Sequence, residues 1–317
     1  MNQLRDALGE YLAVRRSLGF HLNSQARTLR GFVAFAERQG AAYITIPLVL
    51  RWIREPSRAR AATWATRLSV VRGFARWWQG TDSRTEVPPQ ALLPQPNLRK
   101  PPHIFDENDI PRLLAETALL PSRKGLRGAT YSTFFGLVAA TGLRVSEALA
   151  LDRGDVDCDD ALLTIRRTKF GKDRLVPIHR STADALSDYA ARRDSALRSA
   201  RTKAFFVAES GRRITEWAAR YAFARVSQRI GLRQPVPGYG LGRGPRIHDL
   251  RHRFATRTLV DWYRDGKNVD LEIPKLAAYL GHSSVAGTYW YIEAVPELLL
   301  LAVERQRTQS SCEGLSP

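Results

Sequence analysis

Six side chains in four short segments carry groups suited to one kind of chemistry. "ATGLRVSEAL" sets Arg144 just past a glycine that ends an apolar run, near the start of the next helical stretch. Backbone N–H groups at a helix start already favour an anion, and a guanidinium there can hold two phosphate oxygens in its planar fork. Alone, Arg144 reads more plainly as half of a surface ion pair with Glu147. "TKFGK" puts Lys169 and Lys172 at a tight turn between two β-rich runs, from which a lysine can reach into a groove or a site; solvated turn lysines are the plain alternative. "HDLRHRFAT" places His248 and Arg251 three apart, on one helix face. His252, one residue further round, reads as a structural histidine. "GHSSVAGTYWYIEAV" holds His282 in a turn after Gly281, with Ser283 or Ser284 placed to cap a helix that carries Tyr289 and Tyr291. Two positions on a helix are about 200° apart around its axis. The two tyrosines therefore cannot face one site: one packs, and the other is available for chemistry.

Two arginines, a lysine, two histidines and a tyrosine, without an acidic cluster for a metal, fit the metal-free transesterification of a phosphodiester. Arg144 and Arg251 would stabilise the negative charge that grows on the non-bridging oxygens, the electrostatic role that usually contributes most. The phenol would be the nucleophile and would conserve the bond energy as a covalent phosphotyrosine. His248 suits the base that relieves the phenol, Lys169 the acid that protonates the departing sugar oxygen, and His282 a donor to a phosphate oxygen. No metal and no cofactor is implied. A metal-dependent nuclease would need clustered carboxylates, which the sequence does not offer.

These groups must be positioned by a mainly α chain with a small β-hairpin. The first hundred residues read as four helices. Leu4, Leu8, Leu12 and Val14 mark the first, Ser24 can cap the second, and Pro47 suits the first turn of the third. The fourth carries Trp64, Leu68, Val71, Ala75 and Trp78 on an apolar stripe, with Arg67, Arg72 and Arg76 between them able to face phosphates. Residues 87–104 hold six prolines and read as an extended linker in which Arg99 and Lys100 could track a phosphate backbone. This gives a helical domain over 1–86 and a second domain over 105–317. In the second, "DENDIPRLLAETALL" starts with an Asp cap, "ALLTIRRTKFGKDRLVPI" is the hairpin, and "GLRQPVPGYGLGRGPR" reads as a Gly/Pro-rich loop.

The formal net charge of +18 comes from 49 Lys+Arg against 31 Asp+Glu. Residues 1–100 hold 16 of the basic and 6 of the acidic residues, so both halves share the excess and both should touch a polyanion. Two cysteines make neither a disulfide framework nor a zinc site. The first twenty residues carry charges throughout, and no apolar run has the length of a membrane span. A cytoplasmic protein, nucleoid-associated when on DNA and without a membrane partner, is expected.

In order, "ATGLRVSEALALDRGDV", "TKFGKDRLVPI", "HDLRHRFAT" and "LGHSSVAGTYWY" resemble the matching segments of the tyrosine recombinase (phage integrase) family, with Xer-like and transposon-encoded members nearest in style. The resemblance spans about 105–295, and the helices before it look like the family's core-binding domain. It implies catalytic roles for Arg144, Lys169, His248, Arg251, His282 and Tyr291, the tyrosine nine positions after the last histidine, and a supporting role for Glu147. Tyr289 is then a packing neighbour, and Lys172 the fallback for Lys169 or a DNA contact. It also implies a site-specific recombinase or integrase of a mobile element, acting through a 3′-phosphotyrosine without metal or ATP. Such an enzyme clamps double-stranded DNA with inverted repeats and works as a tetramer, with or without sister recombinases, through a Holliday junction. The segment 295–307 would be a tail helix docking on a neighbouring subunit or packing on its own. The rival is a non-cutting DNA-binding accessory homologue, which intact Arg144, Lys169, His248, Arg251, His282 and Tyr291 disfavour.

Overall fold

A computed structural model describes residues 3–55, 61–90, 92–93, 102–166, 173–197, 202–236, 239–282, 284–294 and 298–300. The chain divides into two compact units, Met1–Lys100 and Pro101–Pro317.

The first unit holds α1 (Gln3–Ser17), α2 (Asn23–Arg38), α3 (Ile46–Arg54) and α4 (Ala61–Trp78). Leu4, Leu8 and Leu12 follow the i, i+4 rhythm and are buried. Val14 was expected beside them, but it lies some 200° round the helix from Leu12 and is 47% exposed. Thr45 caps α3 by accepting the Leu48 N–H, with Pro47 in the first turn. Ser24 does not cap α2: that helix already begins at Asn23, behind Leu22 in the left-handed region at φ 48°. On α4, Leu68, Val71, Phe74, Ala75 and Trp78 are buried, and the Trp52 ring meets Phe32 edge-on at 5.3 Å. Val87, Leu92 and Leu93 pack against this core, so the start of the proline-rich segment lies on the first unit rather than running free of it. Arg99 and Lys100 lie outside the described residues.

In the second unit, α5 (Asp109–Ala118) and α6 (Arg127–Thr141) lead into the short α7 (Val145–Ala150). The Asp cap expected for α5 is not its N-cap, which is Asn108 without a side-chain cap bond; Asp106 instead accepts the Asn108 and Asp109 N–H groups in the turn ahead of the helix, while the Asp109 carboxylate takes the N–H of Asp106. α6 crosses a core of Phe134, Phe135, Phe206 and Phe223 and stops at Gly142, φ 63°. β1 (Val156–Asp157), β2 (Leu162–Ile165) and β3 (Arg174–Pro177) form an antiparallel sheet. Leu163 faces Val176 across it, and both are fully buried, while Leu175 points outward. β1 was not expected, because two residues cannot show an alternation. α8 (Arg180–Ala196) and α9 (Glu216–Arg229) follow.

The stretch read as a loop is instead a second hairpin, β4 (Gln234–Val236) with β5 (Tyr239–Arg243). It forms without an apolar alternation because Gly242, at φ 63°, comes so near the Gln234 carbonyl that a Cβ would stand 2.2 Å from it. Arg233 adds hydrogen bonds to the Leu241 and Gly242 carbonyls. α10 (Ile247–Arg264), α11 (Val269–Leu280) and α12 (Ala286–Ala294) close the unit around a cluster that includes Leu259, Ile273, Leu276 and Tyr291. Of the tail segment, Leu298 is buried in that cluster while Leu299 and Leu300 are exposed.

Candidate active site

The site is assembled at two helix C-termini. A helix leaves its last four carbonyls without intrahelical partners, and its dipole makes that end favourable for cations. α11 ends in a Schellman turn: Gly281, at φ 67°, donates to the Ala278 carbonyl and His282 to that of Ala277. The next three carbonyls each accept a different arginine. Arg174 donates through Nε to Tyr279 O at 3.1 Å, Arg251 through Nη2 to Leu280 O at 2.8 Å, and Arg144 through Nη2 to Gly281 O at 2.6 Å. The three come from β3, α10 and the N-cap of α7. α6 supplies a second anchor, because Arg251 Nη1 also donates to Gly142 O at 2.7 Å.

Glu147 ties two of these arginines together. It closes a capping box on Arg144, whose N–H donates to Oε2 at 3.0 Å and whose Nη1 donates to Oε1 at 2.7 Å. Arg174 grips the same carboxylate with both Nη atoms, at 3.0 and 2.9 Å. Burial pushes the Glu147 carboxyl up, and the hydrogen bonds and charge of Arg174, joined by the hydrogen bonds of Arg144, more than reverse it, leaving it below the usual carboxylate range.

α10 starts with its own capping box, Asp249 accepting the Arg246 N–H at 2.7 Å, and this fixes the turn that carries His248, Arg251 and His252. Arg251 is only 2% exposed. Burial draws its guanidinium below the ordinary arginine value, the neighbouring Tyr291 phenol, hydrogen-bonded to it, opposes that shift, and arginine stays charged throughout. His248 keeps an edge open to solvent; partial desolvation and the Arg251 charge hold its imidazole below the ordinary value. Its ring meets that of His252 edge-on at 4.7 Å. Burial, then the charges of Arg251, Arg144 and Arg174, bring His282 down to about 4. The His282 Nδ1 is 2.8 Å from the Thr288 hydroxyl.

Of the two tyrosines, Tyr291 is in the site. Its ring stacks near that of His282 at 6.1 Å and meets His252 edge-on at 5.4 Å, with 3% of the residue exposed. Tyr289 is 41% exposed on the opposite side of α12, and its hydroxyl donates to Asp270 at 3.4 Å. Arg144, Glu147, His248, Arg251, His282 and Tyr291 thus converge, while Lys169 and Lys172 lie outside the described residues. Arg174 was missed from the sequence. Its signal was available: a basic residue two before Val176 on β3, hence on the inward face of the strand. Among the expected DNA contacts, Arg76 is exposed, Arg67 lies over the Trp52 ring at 5.1 Å, and Arg72 donates to the Pro88 and Pro89 carbonyls at 2.7 Å each. Among the described residues, no group of three His, Cys, Asp or Glu could hold a metal ion, and no helix is long and apolar enough to cross a membrane.

Residues 103–297, which hold every group of this site, match the model of the phage integrase family. The chain belongs to that family, the tyrosine recombinases. A recombinase relative named as an integrase/recombinase, y4rB of Sinorhizobium fredii, is 43% identical over 96% of this chain and 97% of its own length. Among solved structures, XerH recombinase bound to a palindromic difH substrate after cleavage has a TM-score of 0.63 at 19% identity, covering 89% of this chain and 78% of XerH. The Tn1549 transposon integrase with transposon right-end DNA has a TM-score of 0.63 at 14% identity, covering 92% of this chain and 94% of that one. At such identities the likeness is one of fold, and it accords with the mainly helical architecture and its small sheets.

Proposed function

We propose that this tyrosine recombinase is the integrase of a mobile element, cutting and rejoining duplex DNA at paired inverted repeats through a 3′-phosphotyrosine on Tyr291. The observation that carries this reading is the buried Tyr291 ring, 6.1 Å from that of His282, set in a site that holds a cluster of three arginines and one carboxylate. With its imidazoles neutral, that cluster has two net positive charges. A phosphodiester brings one negative charge and gains another as the nucleophile adds, so the cluster matches the transition state better than the ground state.

In this mechanism the Tyr291 oxygen attacks phosphorus while His248, neutral at physiological pH, accepts the phenolic proton. The P–O bond to the 5′ oxygen breaks, and Lys169 gives that oxygen its proton. Arg144 and Arg251 hold the non-bridging oxygens, and His282 donates to one of them. A free 5′-hydroxyl of the partner strand then attacks the phosphotyrosine, reversing the chemistry without an external energy source. The mobile-element role is supported by the likeness to y4rB and to the transposon integrase. We assign Arg67, Arg76, Arg99, Lys100 and Lys172 to the DNA backbone and extend the family's tetramer on two duplexes to this chain. The first unit would act as the DNA-gripping domain, and the enzyme would work on the nucleoid.

A duplex built from the repeats flanking the gene, nicked beside the cleavage site so that the released fragment diffuses away, tests the reading. A detergent-resistant protein–DNA adduct is the expected product. Binding without an adduct would instead favour the non-cutting accessory role. Replacing the leaving oxygen by sulfur removes the need for an acid, so such a substrate should rescue Lys169→Ala; failure to rescue would take Lys169 out of that role.

A further inference from the structure

We infer that Arg174 is a positioning residue of the strand-transfer reaction: its guanidinium fixes the Glu147 carboxylate and, through it, the Arg144 guanidinium in the geometry that receives the scissile phosphate. The inference rests on the function proposed above and adds to it a residue outside the set expected from the sequence. Arg174 approaches Glu147 with both Nη atoms, the bidentate arrangement that sets orientation as well as distance. Its Nε is committed to Tyr279 O, so the fork is held at three points, and the side chain is only 14% exposed.

Two further observations point the same way. Glu147 has four lone-pair positions facing two arginines. With Arg174 present, the three groups carry one net positive charge, and Arg144 keeps donors for a phosphate. Without it, both carboxylate oxygens could turn to Arg144 and neutralise it. The second observation is Gly281. A Cβ there would stand 2.7 Å from Arg174 Nη1 and 3.2 Å from Arg144 Nη1, so the backbone leaves open the space in which the two guanidinium groups meet. Gly281 is already required by its φ of 67° to end α11. The same residue therefore shapes the helix stop and the arginine pair.

The test uses the full-length protein and a nicked duplex of the terminal repeat, with the rate of adduct formation read at saturating DNA and the affinity read separately. Arg174→Leu should slow adduct formation on the order of 10²-fold, as expected when a reacting group is misplaced by about an ångström, with affinity changed by less than about threefold. In an Arg144→Lys background, the same substitution should cost little more, because residues acting through one another are not additive. Independent, multiplying losses would overturn the inference, as would an Arg174→Leu rate within threefold of the parent. If Arg174→Leu does not fold, Arg174→Lys decides, keeping the charge without the fork: a loss of tenfold or more supports the role and a parental rate rejects it. Tyr291→Phe serves as the control. An adduct that survives in it removes the reading beneath, whereas an adduct lost there but formed at full rate by the Arg174 variants removes this inference alone.

Discussion

The arginines of the two units differ in how they are held. In the second unit, Arg144, Arg174 and Arg251 are fixed by successive carbonyls at the end of α11, and Arg251 is buried. In the first unit, Arg76 stands exposed on α4 and Arg67 lies over the Trp52 indole. Desolvating a charge is costly, but a guanidinium fixed in advance needs no reorganisation when negative charge develops beside it. An exposed guanidinium keeps its hydration and contributes by releasing counterions from a polyanion. On the function proposed above, Arg144 and Arg251 would serve chemistry because they are anchored, and Arg67 and Arg76 would serve affinity.

Substitutions should break this contrast to different degrees. The largest effect is expected from Arg251→Lys. One ammonium cannot span Gly142 O and Leu280 O and still meet the phenol, so adduct formation should fall by roughly 10²–10³-fold with duplex affinity nearly kept. A rate within tenfold, measured on the nicked duplex, would put Arg251 on the footing of the first unit's arginines. Gly142→Ala comes next. Its Cβ would lie 2.5 Å from Phe254 Cδ1 and 2.9 Å from Leu280 Cδ2, at a φ of 63°. A cost of about 2–4 kcal/mol to the second unit follows from left-handed strain plus overpacking. Calorimetry should show that unit's transition move down while the first unit's stays.

Acidification sharpens the comparison further. His282 and His252 are both lowered to about 4, each by burial first, and then by Arg251 and by His248 respectively. An unfolded histidine takes its proton near pH 6.5, so their stabilising contribution is complete above that pH. It drains away as pH falls from about 6.5 towards 4. The melting temperature of the second unit should therefore drop over that window. The smallest effect belongs to Arg76→Ala, which should reduce the salt dependence of duplex binding by about 0.9 in log–log slope and leave the rate at saturating DNA unchanged. Arg72→Ala should do the reverse, loosening Pro88 and Pro89 without changing the slope, because its guanidinium already serves their carbonyls.

The helices were legible because buried residues such as Leu4, Leu8 and Leu12 repeat at the helical period, and the first hairpin because β-rich runs flank the tight turn around Lys169 and Lys172 in the sequence. The β4–β5 hairpin was not, since backbone approach at Gly242 and the Arg233 guanidinium replace an apolar pattern there. Leu22 in a left-handed conformation moved the start of α2 ahead of Ser24, a choice set by tertiary packing. In the site, the angular offset between Tyr289 and Tyr291 separated the two rings correctly. Exposure did not follow from it: the ring beside the arginines is the buried one, and the other faces solvent. Arg174 escaped notice because a charge on the inward face of a strand is read as an exception until its partners, Glu147 and a helix end distant in sequence, are seen together.

The most direct measurement is to trap the adduct on the nicked duplex, digest it, and locate the nucleotide-bearing residue by fragmenting the peptide that contains both tyrosines. The nucleotide is expected on Tyr291, with Tyr289→Phe forming adduct at the parental rate and Tyr291→Phe forming none. A nucleotide on Tyr289, or an adduct persisting in Tyr291→Phe, would contradict the assignment of the buried phenol as the nucleophile.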